Sequence, residues 1–219
     1  MSIIATVYIK EGIVMAADSR ITGTTSHDDG TTDRYTLSDN AQKVFLIKND
    51  KIGISACGDV EIDGKTVADF IRLFELNEVN EKDTVTDIAE KLKNASIGKY
   101  KNSVIFHVCG YINDVRYVYK IINDKVVTIL DDKNQNKCNT TWDGQRQVLL
   151  NLLTGQNGSI MNWEFMQLKD GIDFAEFMID VTNKIHRFQQ GVGTCGGAVD
   201  LLLITKDYSK WIRHKVLNP

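Results

Sequence analysis

The most informative segment of the chain is its start, MSIIATVYIKEGIVMAADSR, residues 1–20. Two short apolar runs flank the residues Lys10, Glu11 and Gly12, which is the pattern of a β-hairpin. The first predicted strand follows Met1 directly, so Ser2 is expected at the start of a sheet strand and not in a loose tail. Chain ends fray unless something holds them in place. We therefore expect a packing reason or a chemical reason for the position of Ser2.

Length and composition indicate an ordinary globular domain. The chain has 219 residues, of which 42% are hydrophobic and 25% are charged, and it contains 1 proline. Nothing in this composition marks a linker or a low-complexity segment, so we expect a single domain over residues 1–219. The formal net charge of -3 and the scattered lysines and arginines do not form the basic patch that nucleic acid requires. We expect no nucleic-acid partner.

The distribution of apolar residues and cysteines bears on the compartment. The chain start lacks a basic segment followed by a continuous apolar run, and no apolar run approaches the ~20 residues needed to span a bilayer. We expect a cytoplasmic protein without a membrane partner. No C-x-x-C pair occurs, so the cysteines are expected to be reduced, buried thiols and not metal ligands or disulfides. They are Cys57, Cys109, Cys138 and Cys195.

A polar stretch over about residues 23–40 follows the first hairpin. It is rich in Gly, Thr, Asp and Ser and is predicted to be a long loop, either functional or mobile. His27, Asp28 and Asp29 could be imagined as metal ligands, but no other His or Cys stands at ligand spacing nearby. A solvated loop is favoured, and we expect no metal site.

The rest of the chain alternates between strand and helix patterns. KVFLI and KIGISAC predict a second hairpin turning at Asn49 and Asp50, and SVIFHVCGYI, VRYVYKI and KVVTIL predict three further strands. Four helices are predicted: one from Val60 with Asp59 as its N-cap, one after the capping box at Thr84, and the ranges 145–153 and 172–188. AVDLLLIT and WIRHKVL predict a final strand pair.

This order of elements predicts the fold class. Strand pairs and helix pairs with few β-α-β alternations indicate an α+β fold with mainly antiparallel sheets. Each of the two amphipathic helix pairs must bury its apolar side against the face of a sheet, so two outer sheet faces are needed. The simplest arrangement packs two sheets on each other with helices outside both.

Four segments resemble one protein family. GIVMAADSR, QKVFLI, ISACGDVEIDG and CGGAVDLLLIT, in this order, are similar to the β-type subunits of the proteasome and their bacterial relatives, the N-terminal-nucleophile (Ntn) hydrolases. The resemblance covers essentially the whole chain. It implies a four-layer αββα sandwich and assembly into homo-oligomeric rings that enclose a proteolytic chamber.

The resemblance also assigns candidate catalytic residues. Ser2 falls where the family has its catalytic N-terminal threonine, Asp18 on the family aspartate and Lys43 on the active-site lysine. Gly58 would supply a backbone N–H to the oxyanion, where one donor is worth ~3 kcal/mol. Arg20 matches the arginine beyond the aspartate.

The chemistry requires these residue types. A serine hydroxyl is a weak nucleophile and needs a base, and a free α-amine with a pKa of about 7.7 to 8.0 can be that base. The amine of Ser2 exists only if Met1 is removed. Lys43 would stabilise the alkoxide, and Asp18 would offset the cost of burying the lysine charge. No metal or organic cofactor is expected.

Further positions concern substrate binding and support. Ile21 and Ala56 match the pocket for the residue before the cut, and both are apolar, so a mild preference for hydrophobic over acidic side chains is expected. Cys195 and Gly196 fall in a supporting turn, where Cys195 replaces the family's serine.

Other positions depart from the family pattern. Val192 replaces a supporting aspartate, whereas Asp143 in WDGQ stands where the family has a serine. Asp143 is predicted to take over the orientation of the Ser2 amine. The stretch over residues 23–40 is an insertion relative to the family.

These departures leave alternatives open. The leading hypothesis is a self-compartmentalising peptidase acting on peptides or unfolded proteins. A second is a ring-forming subunit that has lost the chemistry, and a third is a small-molecule amidase of the same superfamily. An ATP-dependent unfoldase is a partner that the family allows.

Overall fold

The computed structural model describes residues 2–154, 158 and 160–215. In these ranges the strands, in chain order, are β1 (Ile3–Ile9), β2 (Gly12–Ala17), β3 (Ile21–Ser26), β4 (Thr32–Ser38), β5 (Val44–Ile47), β6 (Ile52–Gly58), β7 (Glu61–Ile62), β8 (Lys65–Thr66), β9 (Val104–Ile112), β10 (Val115–Ile122), β11 (Lys125–Leu130), β12 (Asn139–Gly144), β13 (Asp200–Ile204) and β14 (Ser209–Arg213). The α-helices of the same ranges are α1 (Val67–Glu78), α2 (Val85–Ser96), α3 (Gln147–Leu153) and α4 (Leu168–Phe188).

Two antiparallel sheets form the centre of the molecule. The first has the strand order β12-β1-β2-β13-β14, and the second has the order β11-β10-β9-β6-β5. Helices α1 and α2 pack on the outer face of the second sheet. Helix α4, with α3 beside it, packs on the outer face of the first sheet. A third apolar cluster lies between the sheets, so the four-layer αββα prediction is confirmed.

The hairpin at the chain start forms as predicted. Strands β1 and β2 pair in the register Ile4↔Ala17 to Ile9↔Gly12. Both strands are buried along their whole length, because α4 covers one face and the second sheet covers the other. The predicted pairing of β5 with β6 is also present. Its turn holds Asn49 and Asp50 at positive φ, a conformation that these residue types tolerate.

The first helix begins later than predicted. It starts at Val67 and not at Val60, since Asp63 and Gly64 have positive φ and form the turn of the short β7–β8 ribbon. The N-cap is Thr66, whose side chain accepts a hydrogen bond from the N–H of Asp69. The predicted cap, Asp59, instead accepts hydrogen bonds from the backbone and side chain of Asn102.

The polar stretch after β2 is not a loop. Strands β3 and β4 form a hairpin in it, with register from Ile21↔Ser38 to Ser26↔Thr32. The stretch is rich in threonine, which is β-branched and favours strands. Its polar composition favoured the prediction of a loop, and that prediction is wrong. The hairpin is largely exposed and projects from the sandwich.

Two further differences concern β12 and α4. Strand β12 was not predicted, although it pairs with β1 along the register Ile3↔Gly144 to Tyr8↔Asn139. Helix α4 begins at Leu168. The sequence predicts one apolar face for this helix, and that face is only partly buried: Met178 is in the core and Phe174 and Val181 pack against it, whereas Phe177, Ile185 and Phe188 are exposed. The residues of α4 that are buried against the sheet are Gly171, Ala175, Met178, Ile179 and Thr182.

The remaining predictions have simpler outcomes. The capping box at Thr84 starts α2, and the final strand pair is β13 with β14. Helix α3 begins at Gln147, two positions later than expected from range 145–153. The last predicted strand residues, Val216 and Leu217, lie outside the described residues. Within the described ranges, no helix has both the length and the apolar character to cross a membrane.

Candidate active site

A cavity of about 360 Å³ opens where β1 begins. The N-terminal end of α1, the β3–β4 hairpin and the end of β6 surround it. Its lining includes Ser2, Lys43, Gly58, Ile21 and Ala56, which are five of the residues predicted from the sequence. The structure therefore brings the predicted nucleophile, lysine, oxyanion donor and substrate pocket to one place.

Lys43 forms a buried ion pair in the wall of this cavity. Its Nζ lies 2.7 Å from Asp18 Oδ1, and the two side chains are 8% and 0% exposed. The same Nζ donates a hydrogen bond of 2.6 Å to the carbonyl oxygen of Arg20. An ammonium has three N–H donors, so one further donor can serve a group in the cavity. The role predicted for Lys43, the stabilisation of an alkoxide at Ser2, stays a prediction.

The carboxylate of Asp18 also organises the backbone around the site. It accepts hydrogen bonds from the N–H groups of Ile3 at 3.0 Å, Gly196 at 3.1 Å and Arg20 at 3.2 Å. These bonds join the start of β1 to the turn before β13. The position of Ser2 relative to Lys43 is thereby set through a single buried side chain.

Arg20 links the segments next to the cavity through hydrogen bonds of its guanidinium. Its guanidinium binds Asp39 with two parallel hydrogen bonds of 2.7 and 2.8 Å, and it donates a third to the carbonyl of Gly193. The hydrogen bonds from Arg20 lower the pKa of Asp39. A Cβ at Gly196 would lie 2.6 Å from the guanidinium carbon, so a glycine is needed there.

Gly58 ends β6 at the rim of the cavity. Its φ is +116°, and a Cβ at this position would lie 2.2 Å from the carbonyl oxygen of Ser103. Only glycine avoids this clash with the backbone. The chain can therefore turn at the cavity and leave the backbone of residue 58 exposed there.

Thiols near the site are poor competitors of Ser2 for the role of nucleophile. Cys57 lines the cavity, but burial raises the pKa of its thiol. Burial likewise raises the pKa of Cys195 to about 12. Both are protonated near neutral pH, and the thiol is a far weaker nucleophile than the thiolate. All four cysteines are buried, as the sequence predicted.

Asp143 has partners that the sequence did not indicate. Its Oδ2 lies 2.5 Å from Lys120 Nζ and 3.0 Å from His107 Nε2. Burial lowers the pKa of His107, so the imidazole is neutral, donates from Nε2 to Asp143 and accepts at Nδ1 from Thr6 Oγ1 at 2.9 Å. Burial opposes ionisation of Asp143, but the hydrogen bond from His107 and the charge of Lys120 hold its pKa below the usual value.

The group Thr6, His107 and Asp143 has the connectivity of a Ser-His-Asp triad. All three side chains are 0% exposed, and none of them lines the cavity at Ser2. A substrate cannot reach Thr6 between the sheets. This group is therefore not a second hydrolytic centre.

One signal in the sequence could have revealed part of this arrangement. Lys120 and Val118 are two positions apart in a strand, so they share a face, and a lysine on an inward face needs a buried counter-charge.

Leu37, which also lines the cavity, belongs to the stretch predicted as a loop. Val192, where the family has a carboxylate, is 40% exposed. The predicted removal of Met1 concerns a residue outside the described range.

Comparison with known proteins supports the fold. No protein-family model matches the chain, and no curated protein matches it in sequence. The structure resembles the solved structure described as "Anbu (ancestral beta-subunit) from Yersinia bercovieri", with a TM-score of 0.59 and 10% sequence identity. The match covers 97% of this chain and 87% of that chain, and it shows a shared αββα architecture.

Proposed function

We propose that the chain is a self-compartmentalising peptidase in which Ser2 attacks peptide bonds after removal of Met1. The observation that carries this proposal is the buried Lys43–Asp18 ion pair in the wall of a cavity that Ser2 also lines. Burying a lysine and an aspartate costs desolvation free energy, and well-packed apolar residues of similar volume would fill the same space without that cost. The burial of this pair has a chemical explanation if the charge of Lys43 stabilises an alkoxide at Ser2.

The proposed reaction has two stages. In the first, the α-amine of Ser2 takes the proton of Oγ while Oγ attacks the substrate carbonyl, and the backbone N–H at Gly58 binds the oxyanion. The ammonium then gives this proton to the leaving amine, and an ester to Ser2 remains. In the second stage the amine takes a proton from water while the hydroxide attacks the ester. The ammonium then returns that proton to Ser2 Oγ as the bond between Oγ and the acyl carbon breaks, so the carboxylic acid leaves and the free serine is restored.

The cavity lining supports a preference for apolar side chains. Ile21, Ala56 and Val67 contribute apolar walls, while Asp59 and Glu61 bring negative charge to the same cavity. Acidic substrate side chains would meet these carboxylates. The substrate class is therefore peptides or unfolded segments with an apolar residue before the cut.

The fold also supports assembly as part of the proposal. The similar solved structure is described as an ancestral beta-subunit. We propose a homo-oligomeric ring that encloses the active sites, in the cytoplasm, with an ATP-dependent unfoldase as a further partner. No step of the proposed reaction uses a metal or organic cofactor.

Hydrolysis of fluorogenic peptides tests the proposal. Protein shown by intact mass to begin at Ser2 should cleave peptides with an apolar residue before the cut faster than those with an acidic one. Ser2→Ala should abolish cleavage, and an N-terminal extension that blocks the amine should abolish it equally, because the base is then missing. Ser209→Ala at the distant start of β14 serves as the control.

Two outcomes would contradict this mechanism. Activity that survives in the blocked protein would exclude the amine as base. Complete retention of Met1 together with absent hydrolysis would favour the noncatalytic ring subunit.

A further inference from the structure

A second buried ion pair lies between the sheets and is incomplete. The side chains of Lys120 and Asp143 are 14% and 0% exposed, and both Lys120 and His107 bind Oδ2 of Asp143. Oδ1 of the same carboxylate is buried and has no hydrogen-bond partner among the described residues. A buried polar atom without a partner costs about 1–3 kcal/mol, and more for a charged group. A donor is therefore missing at Oδ1.

The strand register places the start of the chain next to this oxygen. Asp143 pairs with Ile4, and the N–H of Gln145 donates to the carbonyl of Ser2 at 2.8 Å. Ser2 and Asp143 are thus diagonal neighbours of one antiparallel pair, and alternate residues of a strand share a face. Diagonal neighbours have Cα atoms about 7–8 Å apart, a distance that long side chains cross. For Asp143 and Ser2 the carboxylate extends from one Cα and the amine is bonded to the other, so a hydrogen bond between them would close the remaining gap.

The charges of both ion pairs act on the thiol of Cys57. Burial raises the pKa of the Cys57 thiol first, the charge of Asp143 raises it further, and the charge of Lys43 lowers it. Cys57 lines the cavity beside Ser2. The charge of Asp143 therefore reaches the wall of the cavity that Ser2 also lines.

We propose that Asp143 Oδ1 accepts a hydrogen bond from the α-amine of Ser2 in the chain that begins at Ser2, and that Lys120 balances the charge of Asp143. The inference rests on the proposed function, in which this amine is the base. It adds two residues, Lys120 and His107, that the family resemblance does not assign. Asp143 contacts the base, whereas Lys120 and His107 are positioning residues that act through Asp143.

The charge balance explains why both Asp143 and Lys120 are needed. The amine must be neutral to take the proton of Ser2 Oγ, and it becomes an ammonium when the tetrahedral intermediate forms. Asp143 stabilises that ammonium. Without Lys120, the carboxylate would favour the ammonium before the reaction begins and raise the pKa of the amine further, so that a smaller fraction of the amine is neutral near pH 7.

The other groups around the amine do not upset this balance. Lys43 and Asp18 cancel each other, and His107 is neutral because burial lowers its pKa. Cys57 stays protonated because burial raises the pKa of its thiol. The titratable groups around the site are Asp18, Lys43, Cys57, Asp59, Glu61, His107, Lys120, Asp143 and Cys195. Asp59 and Glu61 line the same cavity and are the same in every variant compared below. The thiol of Cys195 stays protonated because burial raises its pKa to about 12.

Direct titration of the Ser2 amine tests the inference. Full-length protein beginning at Ser2 is released from a cleavable N-terminal fusion, and carbamylation of the amine by cyanate is followed across pH by mass spectrometry. Asp143→Asn should lower the apparent pKa of the amine, and Lys120→Met should raise it, each by about one unit. Lys120→Arg keeps the charge and should stay near the wild-type value.

A matched control separates this effect from general loss of an ion pair. Lys184→Met breaks the exposed 2.6 Å pair with Asp180 on α4 and should leave the amine pKa unchanged. Opposite shifts in Asp143→Asn and Lys120→Met are the signature of the inference, since a merely structural role would not change the sign between them. Shifts of equal sign, or no shift in either variant, would overturn it.

The readout does not depend on peptide hydrolysis. Opposite pKa shifts in protein that cleaves no peptide would contradict the proposed function and leave the inference standing. If Lys120→Met does not fold, the nearly isosteric Asp143→Asn decides alone, and an unchanged amine pKa in that variant overturns the inference.

Discussion

Lys43 places a positive charge where water has little access. Its side chain is 8% exposed, and its counter-ion Asp18 is fully buried. Asp18 also accepts backbone hydrogen bonds from Ile3, Arg20 and Gly196. The pair therefore has both a proposed chemical role and a role in joining the start of β1 to the rest of the site.

Removal of the lysine charge should cost stability as well as activity. We expect Lys43→Met to lower the free energy of unfolding by about 3 kcal/mol or more, because Asp18 is then a buried charge without a counter-ion. Urea unfolding measures this change. Lys184→Met, in an exposed pair, should change stability by less than about 0.5 kcal/mol.

A second variant identifies the cause. Adding Asp18→Asn to Lys43→Met removes the uncompensated charge and should restore part of the lost stability. An unchanged unfolding midpoint in Lys43→Met would show that the pair is not buried in solution.

At the scale of elements, the β3–β4 hairpin borders the cavity although most of it is exposed. The Arg20–Asp39 ion pair holds it near its base, and Ile21 and Leu37 extend into the cavity lining. Leu37 is 58% exposed, so it contributes little to the folded core. An exposed leucine beside a proposed substrate pocket indicates a role in binding.

Truncating this leucine should therefore affect substrate binding more than folding. We expect Leu37→Ser to raise KM for peptides with an apolar residue before the cut several-fold, with kcat little changed and stability altered by less than about 0.5 kcal/mol. Leu76→Ser on α1, where the leucine is 68% exposed and outside the cavity, is the matched control. An unchanged KM in Leu37→Ser would exclude the hairpin from substrate binding.

At the scale of the whole molecule, the outer surface carries large apolar side chains. Phe165, Phe177 and Phe188 are 76%, 43% and 78% exposed, all in or beside α4. Large apolar side chains that stay exposed along one element are a feature of surfaces that contact other proteins when they form a continuous patch. Their presence agrees with the proposed homo-oligomer.

Sedimentation velocity tests the assembly. The protein at micromolar concentration should sediment as a species several times heavier than the 24.6 kDa chain. The apparent mass should fall on dilution or at raised salt only if subunit contacts are weak. A monomer at micromolar concentration would contradict the ring.

Local signals in the sequence determined much of the fold. The β1–β2 and β5–β6 hairpins and the start of α2 at Thr84 depend on residues within a few positions of one another. Alternating apolar residues, turn residues that tolerate positive φ and a capping box are readable without knowledge of the partner elements. Ser2, Asp18 and Lys43 stand immediately before β1, after β2 and before β5, and their roles were assigned from the family resemblance.

The tertiary structure alone decided the pairing of β12 with β1, the exposed aromatic face of α4 and the partners of Asp143. His107 is separated from Thr6 by 101 positions and from Asp143 by 36, so no local pattern joins them. Burial of Lys120 depends on which sheet face meets the other sheet. The physical reason is that hydrophobic periodicity shows which residues share a face, whereas the partner of that face is set by long-range packing.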